Sequence, residues 1–270
     1  MNTATIGSTL EMYYELDDFT DPWREADTVV LHHGMHKNSN LWYTWPPLLA
    51  RNYRVVRPDA RGFGRSSVPP SGYPWSLSGF AHDLRGLLDH LGIEKVHLVG
   101  ETIGGTISLQ FAYEYPERLH SLTICGSPYT WAGAAERLSR DRQKISKEGP
   151  AAYIMDSSTR RFGGKPEYEE LAQWYSNEML KTSRRVMLEV LEFISTVDLT
   201  DILPSIRVPT LIMGGEESTI MTSENNRKFQ RLLPNAKLVT FTGAPNHICA
   251  AIPQQCVEEL LKFFGEINNV

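Results

Sequence analysis

The sequence predicts an α/β fold: a doubly wound, mostly parallel sheet with a helical cap inserted late in the sheet. Short apolar runs that are typical of buried strands alternate with amphipathic segments that are typical of helices. This alternation stops after Cys125, where charged, helix-like sequence follows. A strand-like run beginning at Val208 then resumes the pattern. We therefore expect a core made of residues 1–128 and 201–270, and a helical cap made of residues 129–200.

Continuous or alternating apolar runs predict the strands. The run 28–32 is apolar throughout, which suits a strand buried on both faces. The strands are predicted at 11–15, 28–32, 53–57, 96–99, 119–125, 208–213 and 236–240. The clearest helix is 76–91, whose apolar residues recur every three or four positions until Gly92. Other helices are predicted at 41–49, 106–115, 134–147, 167–179, 184–196, 223–233 and 254–264.

Composition excludes several classes of function. The chain has 270 residues and a net charge of −5, and its basic residues are dispersed, so we expect no nucleic-acid partner. No apolar run is long enough for a membrane span, and the N-terminus lacks a signal pattern, so we expect no membrane partner and a cytoplasmic location. The three cysteines have no metal-ligand spacing, which favours buried thiols and no metal. A homodimer is left open.

Four motifs carry the chemistry. They are His33-Gly34 with Trp42 after it; Asp59-x-Arg61-Gly62-x-Gly64-x-Ser66; Gly100-x-Thr102-x-Gly104-Gly105 between a strand and a helix; and His247 before the last helix. In this order they resemble the α/β-hydrolase superfamily, in particular its capped, small-molecule branch. No phosphate-binding loop is visible, and Gly62-Phe63-Gly64 lacks the third glycine of a dinucleotide fingerprint, so we expect no cofactor.

The resemblance assigns roles to residues. It implies that the backbone N–H groups of Met35 and Ile103 form an oxyanion hole and that His247 is the catalytic base. It places Thr102 where the family has a serine nucleophile. It also implies a substrate pocket bordered by His33 and Gly34, with Trp131 as a wall at the start of the cap.

Thr102 is a departure from the family pattern with three interpretations. It could be a slower nucleophile, since its extra methyl crowds the attack path and restricts χ1. It could be a polar group that orients substrate or water while His247 does the acid–base work. The site could also have lost its chemistry.

The triad acid is a second departure. The family pattern places an aspartate at position 218, but this chain reads Gly215-Glu216-Glu217-Ser218. Ser218 and Glu217 are therefore the candidates for orienting His247. We interpret Glu101, which precedes Thr102, as a structural residue whose side chain points away from the nucleophile.

These residues favour an enzyme that acts on a small, aromatic or cyclic carbonyl compound, by hydrolysis of an ester, a lactone or an activated C–C bond. One alternative is a cofactor-free lyase, decarboxylase, cyclase or dioxygenase that uses His247 and the oxyanion hole. The other is a ligand-binding receptor without catalysis.

Overall fold

A computed structural model describes residues 2–7 and 9–268. Its centre is an eight-stranded sheet with the order β1-β2-β4-β3-β5-β6-β7-β8. The strands are β1 (Asn2–Ile6), β2 (Leu10–Asp17), β3 (Thr28–His32), β4 (Arg54–Pro58), β5 (Val96–Glu101), β6 (Leu119–Cys125), β7 (Thr210–Gly215) and β8 (Ala236–Phe241). β1 and β2 are antiparallel to their neighbours and the other pairings are parallel, which confirms the predicted mostly parallel sheet.

The ten α-helices cover both faces of this sheet. They are α1 (Pro46–Leu49), α2 (Leu77–His90), α3 (Ile103–Glu114), α4 (Ala135–Glu148), α5 (Pro150–Phe162), α6 (Glu169–Met179), α7 (Arg184–Ile194), α8 (Ser223–Leu232), α9 (Ile248–Ala251) and α10 (Pro253–Asn268). Alternate residues of β3 serve opposite layers, because Val30 packs in the core with α2 and α3, whereas Val29 and Leu31 pack in the core with α1 and α10. The apolar run 28–32 is therefore buried on both faces, as predicted.

Four helices, α4 to α7, lie between β6 and β7; we call them the inserted helices. α5 was not predicted, although its boundaries carry ordinary signals. Pro150 is its first residue, and it ends at Gly163, whose φ of 72° is the left-handed conformation that favours glycine. That residues 129–200 form a separate cap domain stays a prediction.

Three other elements differ from the sequence prediction. The edge strand is β1, so the run 11–15 is not an edge; only Ala4 and Ile6 of β1 are buried, which gives a weak alternating signal. The predicted helix 41–49 is a 3₁₀ turn followed by α1, because Pro46 cannot continue a helix from the preceding turn. A short helix that was not predicted, α9, precedes α10, which contains the predicted last helix 254–264.

Candidate active site

Thr102 lies at a sharp turn between β5 and α3. Its φ of 51° and ψ of −120° are unusual for a β-branched side chain. The backbone fixes this conformation, because the Thr102 N–H donates to the carbonyl of Cys125 at 3.1 Å and its own carbonyl accepts from the Gly105 N–H at 3.0 Å. A β-carbon on Gly104 would lie 2.5 Å from the His32 carbonyl oxygen, so only glycine fits beside the strand. The turn thus holds the Thr102 hydroxyl at the carboxyl edge of the sheet.

Glu101 is hydrogen bonded to His247. Its Oε1 atom lies 2.5 Å from His247 Nδ1, and both side chains are almost fully buried. The expectation that Glu101 points away as a structural residue is therefore wrong. Side chains alternate between the two faces of a strand, so Glu101 lies on the same face as Val99. Val99 packs in the core with Ile248, the residue after His247.

Lys37 and Tyr175 complete a buried polar cluster around this carboxylate. Lys37 Nζ lies 2.7 Å from Glu101 Oε2 and 3.3 Å from His247 Nδ1. The Tyr175 hydroxyl, from α6, donates to Glu101 Oε1 at 3.3 Å. Sequence analysis singled out Tyr175 only as a candidate for an aromatic pocket wall, and it missed Lys37 and the contact of both residues with Glu101. Neither belongs to a recognisable motif, and the long separations in sequence from Glu101 hide the contact.

Burial and charge set the protonation states of the cluster. Burial opposes ionisation of Glu101, but Lys37 and His247 outweigh it and hold the pKa of this carboxyl well below its usual range. Burial lowers the pKa of Lys37 to about 8, against the attraction of Glu101. Burial and then the charge of Lys37 lower the pKa of His247 to about 3. At neutral pH the cluster holds a carboxylate, an ammonium and a neutral imidazole.

The neutral imidazole has one nitrogen free. Nδ1 carries the proton, because its partner is the Glu101 carboxylate, so Nε2 is an acceptor. His247 Nε2 is buried without a hydrogen-bond partner. Within the described part of the chain, the hydroxyl of Thr102 likewise has no hydrogen-bond partner. Both residues line one cavity, so a base and a hydroxyl face the same space.

The two backbone donors that the resemblance assigns to an oxyanion hole belong to Ile103 and Met35. Ile103 is the first residue of α3, so its N–H has no partner within the helix. Met35 belongs to the loop after β3 and lines the cavity. His33 braces this loop, since its Nδ1 lies 2.8 Å from the Gly34 carbonyl oxygen and its Nε2 accepts from the Ala60 N–H at 2.9 Å. His36, in the same loop as Met35, has a φ of 62°, so the candidate site has a second residue with positive φ besides Thr102.

Ser218 and Glu217, the candidates for orienting His247, have other partners. The Ser218 hydroxyl donates to Asn246 Oδ1 at 2.6 Å and accepts from the Met221 N–H at 2.9 Å. Glu217 pairs with Lys165 at 2.9 Å, and its side chain is 45% exposed. Ser218 fixes the residue before His247, whereas Glu101 takes the position at the imidazole.

The cavity has a volume of about 40 Å³, room for only a few water-sized groups. The core contributes Met35, Lys37, Thr102 and His247 to its wall, and the inserted segment contributes Trp131, Arg137, Tyr153, Ser157, Arg160 and Arg161. Trp131, which precedes the inserted helices, is among the residues that line this cavity. His33 and Gly34, also predicted to border the pocket, are not in the wall; they lie beneath it and shape the loop. The three arginines were not predicted, because two of them belong to the missed helix α5.

The described residues offer no group of three or more His, Cys, Asp or Glu side chains that could hold a metal ion. Among the described helices, none combines the length and apolar character needed to cross a bilayer.

The family follows from comparison with known proteins. A family model described as alpha/beta hydrolase fold matches residues 27–249. The chain belongs to this family. The resemblance to the α/β-hydrolase superfamily, drawn from the four sequence motifs, is thereby confirmed.

Individual members of the alpha/beta hydrolase family resemble the whole chain. A protein of Azorhizobium caulinodans, which carries the provisional name carbamate hydrolase RutD, is 27% identical over 97% of this chain and 98% of its own length. The pimeloyl-[acyl-carrier protein] methyl ester esterase of Aeromonas hydrophila is 28% identical over 89% and 96%. The crystal structure of the enol-lactonase from Burkholderia xenovorans superposes with a TM-score of 0.89 at 20% identity, covering 98% of this chain and 100% of that one. The last similarity shows the shared fold.

Proposed function

We propose that this protein is a hydrolase that cleaves an ester or lactone bond of a small carbonyl compound by acyl transfer to Thr102. The observation that carries the proposal is the 2.5 Å contact between Glu101 and His247 next to the strained turn at Thr102. It supplies the acid that the family pattern places at position 218, where this chain has serine. A nucleophile, a base and an orienting carboxylate are then all present.

The groups of the candidate site act in a fixed order in this reaction. His247 Nε2 takes the proton of the Thr102 hydroxyl while Oγ1 attacks the carbonyl carbon. The N–H groups of Met35 and Ile103 donate to the resulting oxyanion, a contribution of about 3 kcal/mol per donor. The imidazolium gives its proton to the departing alkoxide, which leaves an acyl ester on Thr102. Water, deprotonated by the same nitrogen, then hydrolyses that ester and restores the hydroxyl.

The Glu101 carboxylate makes this cycle feasible in a buried site. An imidazolium without a counter-charge would be costly there, because burial and Lys37 both disfavour it. Glu101 holds the Nδ1–H tautomer and stabilises the imidazolium as it forms.

The names of the similar proteins support the same class of substrate. One is named a carbamate hydrolase, one is a methyl ester esterase and one is an enol-lactonase. Each name denotes a reaction at a carbonyl group bearing a heteroatom leaving group. The cavity of about 40 Å³ favours a small acyl group.

A second candidate function, a cofactor-free lyase or decarboxylase, is favoured by a different observation. The unpartnered state of His247 Nε2 means that it makes no hydrogen bond to Thr102, as an activated nucleophile would. Lys37 also brings a second proton-carrying group to within 3.3 Å of the imidazole. Catalytic hydrogen bonds are often long in ligand-free structures, so we place acyl transfer first.

A fluorophosphonate probe tests the proposal. We expect one phosphonyl group per chain, located on Thr102, and faster labelling of Thr102→Ser, because the serine hydroxyl lacks the methyl group. Thr102→Ala should stay unlabelled and inactive. Labelling of the serine variant alone, together with activity retained in Thr102→Ala and lost in His247→Ala, would replace hydrolysis by the lyase class. Absence of labelling in the wild type and in Thr102→Ser, together with ligand binding but no turnover, would favour a receptor.

A further inference from the structure

Arg161 is a buried arginine in the wall of the candidate active site. It lies in the last turn of α5 and is 8% exposed. Its Nη1 atom donates to the Ser157 hydroxyl, and its backbone carbonyl accepts from the N–H of His247 at 3.1 Å. Arg161 lines the same cavity as Thr102 and His247.

Arg161 has no carboxylate partner in the described part of the chain. Its two neighbours in the cavity wall do: Arg160 Nη2 lies 3.2 Å from Asp141, and Arg137 Nη1 lies 3.6 Å from the same carboxylate. An arginine cannot lose its charge in a protein, so a buried one without a counter-ion is costly. We expect a protein to retain such an uncompensated buried charge where a bound ligand supplies the anion.

The rest of the wall does not neutralise this charge. Glu101 compensates Lys37, Asp141 pairs with Arg137 and Arg160, and Asp156 pairs with Arg160 at 3.2 Å. No acidic side chain is among the described residues that line the cavity. The space in front of Thr102 therefore carries an excess of positive charge.

We propose that the substrate carries a carboxylate on its acyl part and that the Arg161 guanidinium binds this carboxylate. This inference rests on the proposed function and defines its substrate class. A guanidinium offers paired N–H donors in a plane, which match the two oxygens of a carboxylate.

The position of Arg161 assigns the carboxylate to the acyl part of the substrate. An outer depression of about 500 Å³ adjoins the cavity and shares Pro128, Trp131, Arg137 and Ile220 with it. Arg161 lines the inner cavity and not the outer depression. The leaving alcohol would then occupy the outer depression. The acid part would extend into the inner cavity toward Arg161.

A bound carboxylate would also assist the chemistry. Burial, Lys37 and Arg161 all lower the pKa of His247. A negative group beside Arg161 would offset part of this effect and stabilise the imidazolium of the transition state. Substrates that lack the carboxylate would then lose rate as well as affinity.

The test compares charged and neutral esters in matched pairs. The charged esters are the monomethyl esters of malonate, succinate, glutarate and adipate. In each neutral partner an isopropyl group replaces the carboxylate. Hydrolysis is followed by pH-stat titration with the wild type, Arg161→Met, Arg161→Lys and Arg184→Met. Arg184 is an exposed arginine that donates to a backbone carbonyl, so its variant is the matched control.

We expect the wild type to prefer at least one charged ester over its neutral partner. Arg161→Met should lower kcat/KM for that ester by about 100-fold and for the neutral ester by less than about threefold. Arg161→Lys should retain part of the preference, and Arg184→Met all of it. Equal use of both esters by the wild type, or equal losses on both in Arg161→Met, would overturn the inference.

A binding measurement separates this inference from the proposed function. Calorimetry of the same four monomethyl esters with Thr102→Ala detects the anion site without turnover. Binding that is lost in Thr102→Ala/Arg161→Met supports the anion site even if the wild type hydrolyses none of them, in which case the hydrolase proposal fails. Absence of binding by all four overturns the anion site, whatever the wild type does with neutral esters.

Discussion

Glu101 and His247 are 146 residues apart in the chain, and their side chains meet at 2.5 Å in the buried centre of the molecule. Glu101 is also the residue immediately before Thr102. One strand end therefore supplies both the hydroxyl and the carboxylate of the candidate site. The position at the end of β7 that holds an acid in the family pattern is left with Ser218.

Replacing Glu101 with glutamine tests whether it orients the base. Glutamine can keep a hydrogen bond to His247 but cannot stabilise an imidazolium, so we expect kcat/KM to fall by about 10³- to 10⁴-fold. Steady-state kinetics with circular dichroism as a fold check measures this. Glu217→Gln is the control, because Glu217 is exposed and pairs with Lys165. Equal activity in both variants would exclude Glu101 from the mechanism.

Replacing Lys37 with methionine should change the pH dependence of the reaction. After burial, the charge of Lys37 is the next largest cause of the low pKa of His247, so its removal should raise that pKa. The imidazole must be neutral to act as a base, so the acidic limb of the pH–rate profile should move to higher pH. The rate at which a fluorophosphonate labels Thr102→Ser, measured as a function of pH, locates this acidic limb. Lys165→Met should leave it in place; an unchanged limb in Lys37→Met would contradict the electrostatic account.

Replacing Gly34 with alanine should displace the Thr102 hydroxyl. A β-carbon at Gly34 would collide with Thr102 Oγ1 and lie 3.0 Å from Lys37 Nζ. We expect activity to fall by about 100-fold, because a small displacement of a reacting group can lower the rate by this much. Gly265→Ala is the matched control, because Gly265 lies in α10 and, among the described residues outside its own stretch of helix, no atom lies within 4 Å of a β-carbon placed there. Activity of Gly34→Ala near that of the control would mean that the hydroxyl position is not critical.

Stability should fall as the pH is lowered from 6.5 to about 4. Burial lowers the pKa of His32 to about 3, and of His33 and His97 to about 4. In the unfolded chain these histidines have a pKa of about 6.5 and bind protons throughout this range. In the folded chain they stay neutral until the pH is much lower. Each histidine therefore removes about 1.4 kcal/mol of unfolding free energy per pH unit within the range.

Urea unfolding at pH 7.5, 6.0 and 5.0 measures this loss. His97→Gln removes one titrating group away from the candidate site and should make the pH dependence shallower by one histidine. A midpoint independent of pH between 7.5 and 5.0 would show that these histidines are not held neutral.

The fold could be predicted from the sequence because strand and helix periods are local. The run 28–32 and the helix α2 carry these periods clearly, and both were confirmed. Segments with weak or interrupted patterns were missed. β1 buries only two side chains, and α5 has a mixed sequence between Gly149 and Gly163.

The site was predictable only where a residue follows a motif. Thr102 and His247 were placed in this way, and both line the cavity. The role of Glu101 was misjudged, although the two-residue period from Val99 gives its direction. Lys37, Tyr175 and Arg161 could not be predicted, because their roles arise from the packing of the inserted helices against the loop after β3, which no local pattern encodes.

The attachment of α6 has a consequence for the geometry of this site. Tyr175 donates to the Glu101 carboxylate, and Glu178 accepts from the side chains of Asn38 at 3.1 Å and Asn40 at 3.0 Å. The helix is thus fastened to the group that orients the base and to the segment that carries the Met35 donor. If α6 lifts to admit a molecule, it takes a hydrogen bond away from Glu101. Any displacement of α6 would therefore alter the hydrogen bonding of the carboxylate and of the Asn38–Asn40 segment together, so one helix couples the orientation of the base to the placement of the loop.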